Sequence, residues 1–156
     1  MTLSRRFLLA AALAAPVAAL AGHYTVAPAT AAKREIFAPG GMAIRGYDPV
    51  AYFTEGKPVA GKPEFTHVWK SATWYFSSAA NRDKFRQDPE RWAPQYGGYC
   101  AYGVAQGYAV KIEVDQWSVV DGKLYLNYDR SVQRTWKRDI PGYIRKANKN
   151  WPGVLK

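Results

Sequence analysis

The sequence is poor in the residues that build disulfides and metal cages. Its 156 residues include one cysteine, Cys100, and two histidines, of which His67 alone falls in the part that we expect to fold. One cysteine excludes an intrachain disulfide framework and a metal site made wholly of cysteines. Motifs of the G-x-S-x-G, phosphate-loop, H-E-x-x-H and G-x-G-x-x-G types are also missing from suitable contexts. The sequence therefore indicates no enzyme class and favours a non-catalytic protein.

Acidic residues are scarce relative to basic ones. Twelve Asp and Glu stand against 22 Lys and Arg, and the formal net charge is +10. The basic residues are dispersed rather than gathered in a dense block, so we interpret them as a solvated surface and predict no nucleic-acid partner. No long apolar run follows the first residues, which predicts that the mature protein has no stable membrane span. No feature identifies a protein partner.

The first residues have the composition of an export signal. Arg5 and Arg6 precede an apolar segment, residues 19–21 form an A-x-A cleavage site, and residues 29–31 form a second candidate. The arginine pair with its following hydrophobic residues also resembles a twin-arginine signal. We therefore predict an exported protein, either periplasmic or secreted.

These signals divide the chain into three parts. We predict a signal peptide at residues 1–21, or to residue 31 if the second site is cleaved. Residues 22–41 are rich in Ala, Pro and Gly and are predicted to form a flexible tether. Residues 42–156 are then one domain. Six Trp, 11 Tyr and 6 Phe, within a hydrophobic content of 48%, are enough for a packed core.

Alternating apolar residues predict two hairpins. Residues 64–70 and 73–76 alternate as strands around a turn at Ser71 and Ala72. Strand-like runs at residues 117–120 and 123–128 flank an Asp-Gly pair. That pair is a strong hairpin signal because Gly takes up positive φ at low cost.

Helical spacing appears in two other places. Ser77 or Ser78 is expected to cap a helix that runs to about Gln87, with Ala79, Ala80 and Phe85 facing inward. From Arg130 onward the apolar steps are three and four, interrupted at residues 139–142, which predicts two short helices. Hairpins beside separate helices indicate an α+β fold with a small antiparallel sheet.

Cys100 is the residue most able to carry chemistry. It follows Gly97 and Gly98, a pair suited to a tight turn into a helix. In a first helical turn, unpaired amides and the helix dipole favour a thiolate and lower the pKa of the thiol. Such a thiolate could bind a soft metal or be reversibly oxidised. The alternative is a buried cysteine that acts as a small apolar residue, and the sequence does not decide between the two.

His67 is a second, weaker candidate. On its strand it shares a face with Phe65 and Trp69, which favours a packed or surface histidine over a metal ligand. A pair of Cys100 and His67 could hold copper(I), which accepts few soft ligands. The spacing of the two residues does not show that they meet.

Several motifs together point to a family. They are G-Y-D-P-V-A-Y-F at residues 46–53, W-Y-F-S-S-A-A-N-R-D-K-F at residues 74–85, Y-G-G-Y-C-A-Y at residues 96–102, D-G-K-L-Y-L-N-Y at residues 121–128 and N-W-P at residues 150–152. In this combination the chain resembles the bacterial exported YHS-domain proteins over roughly residues 42–155. The resemblance implies a compact α+β module, related in its hairpin–helix part to small metal-binding domains.

The sequence departs from metal-binding members of that family at their ligand positions. Those relatives carry a cysteine after the Tyr-Phe pair, another four residues later, and often one after Asp-Pro-Val. Here the three places hold Ser77, Asn81 and Ala51. Ser and Asn are poor ligands for thiophilic metals, so the usual thiolate site is absent. The family also includes selenoproteins, which suggests that a chalcogen is useful in it and directs attention to Cys100.

The leading hypothesis is therefore an exported YHS-like protein with a metal- or redox-responsive thiol at Cys100. Copper is the first metal to consider, with His67 as the second candidate ligand. Two alternatives stay open. One is a small thiol-dependent redox enzyme, and the other is a non-catalytic interaction module with a basic, aromatic surface.

Overall fold

The computed structural model describes residues 32–156, and the predicted signal peptide at residues 1–21 lies outside them. Within these residues the helices and strands are, in chain order, α1 (Ala51–Thr54), β1 (Lys62–Trp69), β2 (Ala72–Phe76), α2 (Ala79–Gln87), α3 (Pro89–Trp92), α4 (Ala101–Ala105), β3 (Glu113–Val120), β4 (Lys123–Asn127), α5 (Arg130–Trp136) and α6 (Ile140–Asn150). Short 3-10 turns cover Pro39–Gly41, Ala43–Gly46, Gln95–Gly98 and Gly153–Leu155. The α+β prediction is confirmed.

The strands form two separate antiparallel pairs, β1 with β2 and β3 with β4. Both hairpins close through two residues in the left-handed region. These are Lys70 and Ser71, with φ of 49° and 58°, and Asp121 and Gly122, with φ of 49° and 70°. Turns of this kind match the right-handed twist of the flanking strands. The structure confirms both predicted hairpins. The first turn lies at Lys70 and Ser71 rather than at Ser71 and Ala72, and β3 starts earlier than the sequence indicated.

Helix α2 covers the first hairpin and begins as predicted. Ser78 caps it by accepting a hydrogen bond from the Asn81 N–H, and Phe85 is fully buried against Trp74, with ring centroids 4.9 Å apart. The predicted inward face is wrong in part, because the two alanines at the start of α2 are exposed. Asn81 is buried in their place, since its side chain has a charged partner inside the domain.

A second aromatic cluster joins β4 to the C-terminal helices. The Trp136 ring lies 5.5 Å from that of Tyr125 and stacks on Tyr143 at 5.9 Å. Helices α5 and α6 are capped by Asp129 and Asp139, whose carboxylates each accept a hydrogen bond from the backbone N–H of the third residue of the helix. The predicted pair of short C-terminal helices is confirmed.

The folded domain begins before Met42. Ile36 is buried, the Phe37 N–H donates to the Gly97 carbonyl, and the Lys33 N–H donates to the Leu155 carbonyl. The described end of the predicted tether at residues 22–41 is therefore part of the domain. The tether was predicted from the Ala, Pro and Gly content of these residues. That composition gave no weight to two adjacent apolar residues, Ile36 and Phe37, which pack against the core.

Within residues 32–156, the longest helix is α6, and none is both long and apolar enough to cross a membrane.

Candidate functional site

The Tyr96–Gly98 turn positions Cys100, and its glycines are required by close packing. A Cβ on Gly97 would lie 1.8 Å from the Glu35 carbonyl oxygen, and one on Gly98 would lie 2.6 Å from the Ile44 side chain. Both glycines also have positive φ, of 60° and 84°. The glycine pair therefore lets the turn press against the N-terminal segment, and it delivers Cys100 to the first residue before α4.

Cys100 lies between β4 and the segment before β3. Its N–H donates to the Val110 carbonyl at 3.1 Å, and its backbone forms an isolated parallel bridge with Leu126 of β4. Its side chain is fully buried, and the sulfur accepts a hydrogen bond from the Gly103 N–H at 3.3 Å. The sequence thus predicted the position at the start of a helix but not the burial.

Burial sets the protonation state of this thiol. Removal from water raises the pKa of Cys100 above its usual value. Hydrogen-bond donors around the sulfur act in the opposite direction with a smaller effect; they are the Gly103, Tyr128 and Tyr102 backbone amides and the Asn127 side chain. The prediction of a lowered thiol pKa is wrong, because the helix start is enclosed by the core rather than open to solvent. At neutral pH the group is a protonated thiol.

Asn127 is the residue that the sequence analysis missed. It is the last residue of β4 and is fully buried. Its amide is close enough to the Cys100 sulfur to favour the thiolate, yet it does not reach hydrogen-bond geometry there. Neither Nδ2 nor Oδ1 has a hydrogen-bond partner among residues 32–156. Buried amides are normally paired, so an unpaired one beside a thiol marks this place as chemically unusual.

His67 belongs to a different part of the domain. It packs edge-on against Phe85, with ring centroids 6.3 Å apart. Partial burial, followed by the nearby charges of Arg86 and Arg82, lowers the pKa of His67. No hydrogen bond or ring contact joins His67 to Cys100 in the described part of the chain. The structure therefore does not bring the two predicted metal candidates together, and no three His, Cys, Asp or Glu side chains cluster within residues 32–156.

The positions where metal-binding relatives carry cysteine converge on the carboxylate of Asp48. Its Oδ1 accepts from the Val50 and Ala51 N–H groups at 2.9 and 3.3 Å. Its Oδ2 accepts from the Ser77 N–H, the Ser77 hydroxyl and the Asn81 amide at 2.8, 2.7 and 2.7 Å. Five donors therefore satisfy a fully buried carboxylate. A hydrogen-bond network occupies the place where the resemblance puts a thiolate set.

A surface cleft of about 320 Å³ lies beside the first hairpin turn. On its wall the Lys70 ammonium lies 2.6 Å from Glu35, 3.1 Å from Glu90 and 4.6 Å from the Trp69 ring centroid. The indole of Trp151 lines the opposite part. The charged groups of Lys70, Glu35 and Glu90 pair with one another at the surface. A ligand in this cleft would therefore contact aromatic side chains and charges that are already paired.

The geometry defines an α+β module with a buried thiol at Cys100 and a separate, buried hydrogen-bond network around Asp48. Comparison with known families identifies a YHS domain at residues 50–96, a family associated with metal handling. This match covers α1 through α3 with the first hairpin, and so includes Asp48's partners Ala51, Ser77 and Asn81. Cys100 and Asn127 lie beyond it. No curated protein and no solved structure matches the chain.

Proposed function

We propose that this protein is an exported, non-catalytic YHS-domain protein in which Cys100 is a redox-responsive thiol. The observation that carries the proposal is the set of hydrogen-bond donors around the buried sulfur, with the unpartnered amide of Asn127 among them. Amide donors stabilise a negative sulfur, or an oxygen attached to it, in a medium of low dielectric constant. The export signal predicted from the sequence at residues 1–21 favours a role outside the cytoplasmic membrane.

Burial makes the proposed oxidation of Cys100 slow and dependent on local opening of the structure. A fully enclosed, protonated thiol reacts only when the structure opens locally. The segments next to Cys100 are suited to local opening. Helix α4, which follows it, has only five residues, and Tyr128, just after β4, is exposed. Cys100 is therefore expected to respond to sustained oxidant rather than to turn over substrate.

Oxidation of the native protein tests this proposal. The mature chain is treated with hydrogen peroxide, and oxygen addition at Cys100 is followed by mass spectrometry together with the thermal unfolding midpoint. We expect one added oxygen at Cys100, a changed midpoint and reversal of the Cys100 oxidation by a thiol reductant, with no reductant-reversible change in Cys100→Ser. Identical behaviour of both proteins would remove the proposal, and continuous peroxide consumption in the presence of reductant would identify an enzyme instead.

Copper(I) at Cys100 is the second candidate, and the YHS match is the observation that favours it. The described residues do not fit this metal as they stand, because the polar groups that favour a charged sulfur are N–H donors, which present the positive ends of their dipoles to a cation. The candidate therefore needs a second soft ligand from elsewhere. Copper(I) titration of wild type, Cys100→Ser and His67→Gln decides: equal, weak binding by all three removes copper.

A further inference from the structure

We infer that Asn127 is a positioning residue that holds the oxygen atom which a small peroxide adds to Cys100. This inference rests on the proposed redox role of the thiol and names both its oxidant and the group that stabilises the product. It starts from two buried polar atoms, Nδ2 and Oδ1 of Asn127, that have no partner in residues 32–156.

The backbone fixes where this amide can act. Leu126, the residue before Asn127, forms the parallel bridge with Cys100, so the two side chains belong to adjacent segments. Asn127 favours the charged form of the thiol without completing a hydrogen bond to the sulfur. An oxygen atom added to the sulfur would give this unpaired amide a nearby partner.

A sulfenic acid matches the unsatisfied groups. Its S–O–H unit offers one acceptor oxygen and one O–H donor, and the Asn127 amide offers one Nδ2–H donor and one Oδ1 acceptor. Oxidation by one oxygen atom would therefore satisfy both atoms of the amide at once. The Gly103 N–H, already bonded to the sulfur, keeps Cys100 in place during the change.

The chemical step balances without a second cysteine. The Cys100 thiol loses its proton, and the sulfur attacks one oxygen of hydrogen peroxide, so that an S–O bond forms and the O–O bond breaks. Sulfur is oxidised by two electrons, the peroxide is reduced, and the departing hydroxide takes up the proton to give water. Because the chain has a single cysteine, no intrachain disulfide can follow. Return to the thiol then requires an external thiol, and further peroxide converts the sulfenic acid to higher oxides.

Size limits the oxidant. The Cys100 side chain has no accessible surface, and none of the described surface clefts is lined by it. A local opening admits hydrogen peroxide more readily than a bulky organic hydroperoxide or a disulfide. The inferred oxidant class is therefore the small peroxides.

The test compares Asn127→Leu, which keeps the branched shape of the side chain and removes both polar atoms, with Ser118→Ala as the matched control. Ser118 also has a buried, unpartnered side-chain oxygen, but it is not among the groups that act on Cys100. Three quantities are measured: the lifetime of the sulfenic acid by trapping with a dione reagent, the rate of oxidation by peroxide, and the rate of alkylation by iodoacetamide. Alkylation reports how open the structure is, and it does not require a hydrogen bond to oxygen.

We expect Asn127→Leu to lose about tenfold in both sulfenic-acid lifetime and the ratio of oxidation to alkylation rates, as for one lost hydrogen bond, with Ser118→Ala within about twofold of wild type. Unchanged values in a folded Asn127→Leu overturn the inference while the redox role stands. Absence of any sulfenic acid in wild type overturns both. If Asn127→Leu does not fold, Asn127→Ala is measured in its place against the same outcomes. Equal oxidation rates of wild type by hydrogen peroxide and cumene hydroperoxide overturn the inferred small-peroxide selectivity.

Discussion

At the scale of single residues, Asp48 shows how one buried carboxylate organises a small domain through hydrogen bonds. Its carboxylate ties the start of α1 to Ser77 and to Asn81 of α2 through five hydrogen bonds. The sequence analysis did not single out Asp48, because two of its partners lie 29 and 33 residues further on. The sequence shows that Ser77 and Asn81 stand where metal-binding relatives carry cysteine. It does not show that one carboxylate joins the two residues.

Removing this carboxylate is expected to destabilise the domain strongly. Asp48→Ala leaves the Ser77 and Asn81 donors buried without an acceptor and should lower the free energy of unfolding by about 3 kcal/mol. Urea unfolding measures the change, with Asp115→Ala as the control, since Asp115 is exposed. A loss no larger than that of Asp115→Ala would show that the network does not hold the fold together.

Buried acidic groups predict a dependence of stability on pH. Burial raises the pKa of the Tyr52 phenol, whose hydroxyl donates to the Val114 carbonyl at 2.8 Å, and it also raises the pKa of Cys100. Unfolded chains therefore release these protons first, so the free energy of unfolding decreases as pH rises past about 8.5 for the thiol and about 10 for the phenol.

The measurement is the urea midpoint of wild type and Tyr52→Phe from pH 7 to 11. The decline should begin near pH 9 in wild type and be shallower above pH 10 in Tyr52→Phe. A midpoint that is constant across this range in wild type contradicts the assigned burial of both groups.

At the scale of elements, local signals specified most of the architecture. The Asp-Gly pair, the Ser78 cap and the apolar steps after Arg130 each predicted an element that the structure contains. Local signals failed at residues whose burial depends on a partner far away in the sequence. Asn81 faces inward because its amide donates to the Asp48 carboxylate. Residues 33–41 are part of the domain because Ile36 and Phe37 pack against the core.

The turn of the first hairpin gives a prediction at this scale. Ser71 has φ of 58°, which costs energy for a residue with a Cβ, so Ser71→Gly should raise the free energy of unfolding by about 0.5–1 kcal/mol. Gly122→Ala, at φ of 70° in the other hairpin, should lower it by about 1 kcal/mol. Denaturant midpoints test both; a destabilised Ser71→Gly would mean that its left-handed backbone is not strained.

At the scale of the whole molecule, Cys100 lies where two clusters of buried residues meet. It belongs to the cluster around Trp74 and Phe85, while its neighbours Tyr99 and Ala101 belong to the cluster that contains Trp136. The sequence identified the thiol because it is the chain's one cysteine, after a glycine pair. It could not reveal Asn127, whose neighbour Leu126 pairs with Cys100 across the fold. Oxidation of the Cys100 sulfur is therefore expected to affect the packing of both clusters.

The N-terminal boundary gives a prediction for the molecule as a whole. A chain of residues 42–156 lacks Ile36 and Phe37 and should be less stable than residues 33–156 by about 3 kcal/mol, from the apolar surface left uncovered. Thermal and urea unfolding of the two chains measures the difference. Equal stability would mean that residues 33–41 contribute nothing to the fold.

The most direct measurement of the central claim is the fate of Cys100 in folded and urea-unfolded chains that have consumed the same amount of hydrogen peroxide. Trapping with a dione reagent, read by mass spectrometry, reports the sulfenic acid present at successive times. The donors around the sulfur predict a long-lived sulfenic acid in the folded chain and rapid loss to higher oxides in the unfolded one. Equal lifetimes in the two states, or no trapped sulfenic acid in the folded chain, would contradict the account.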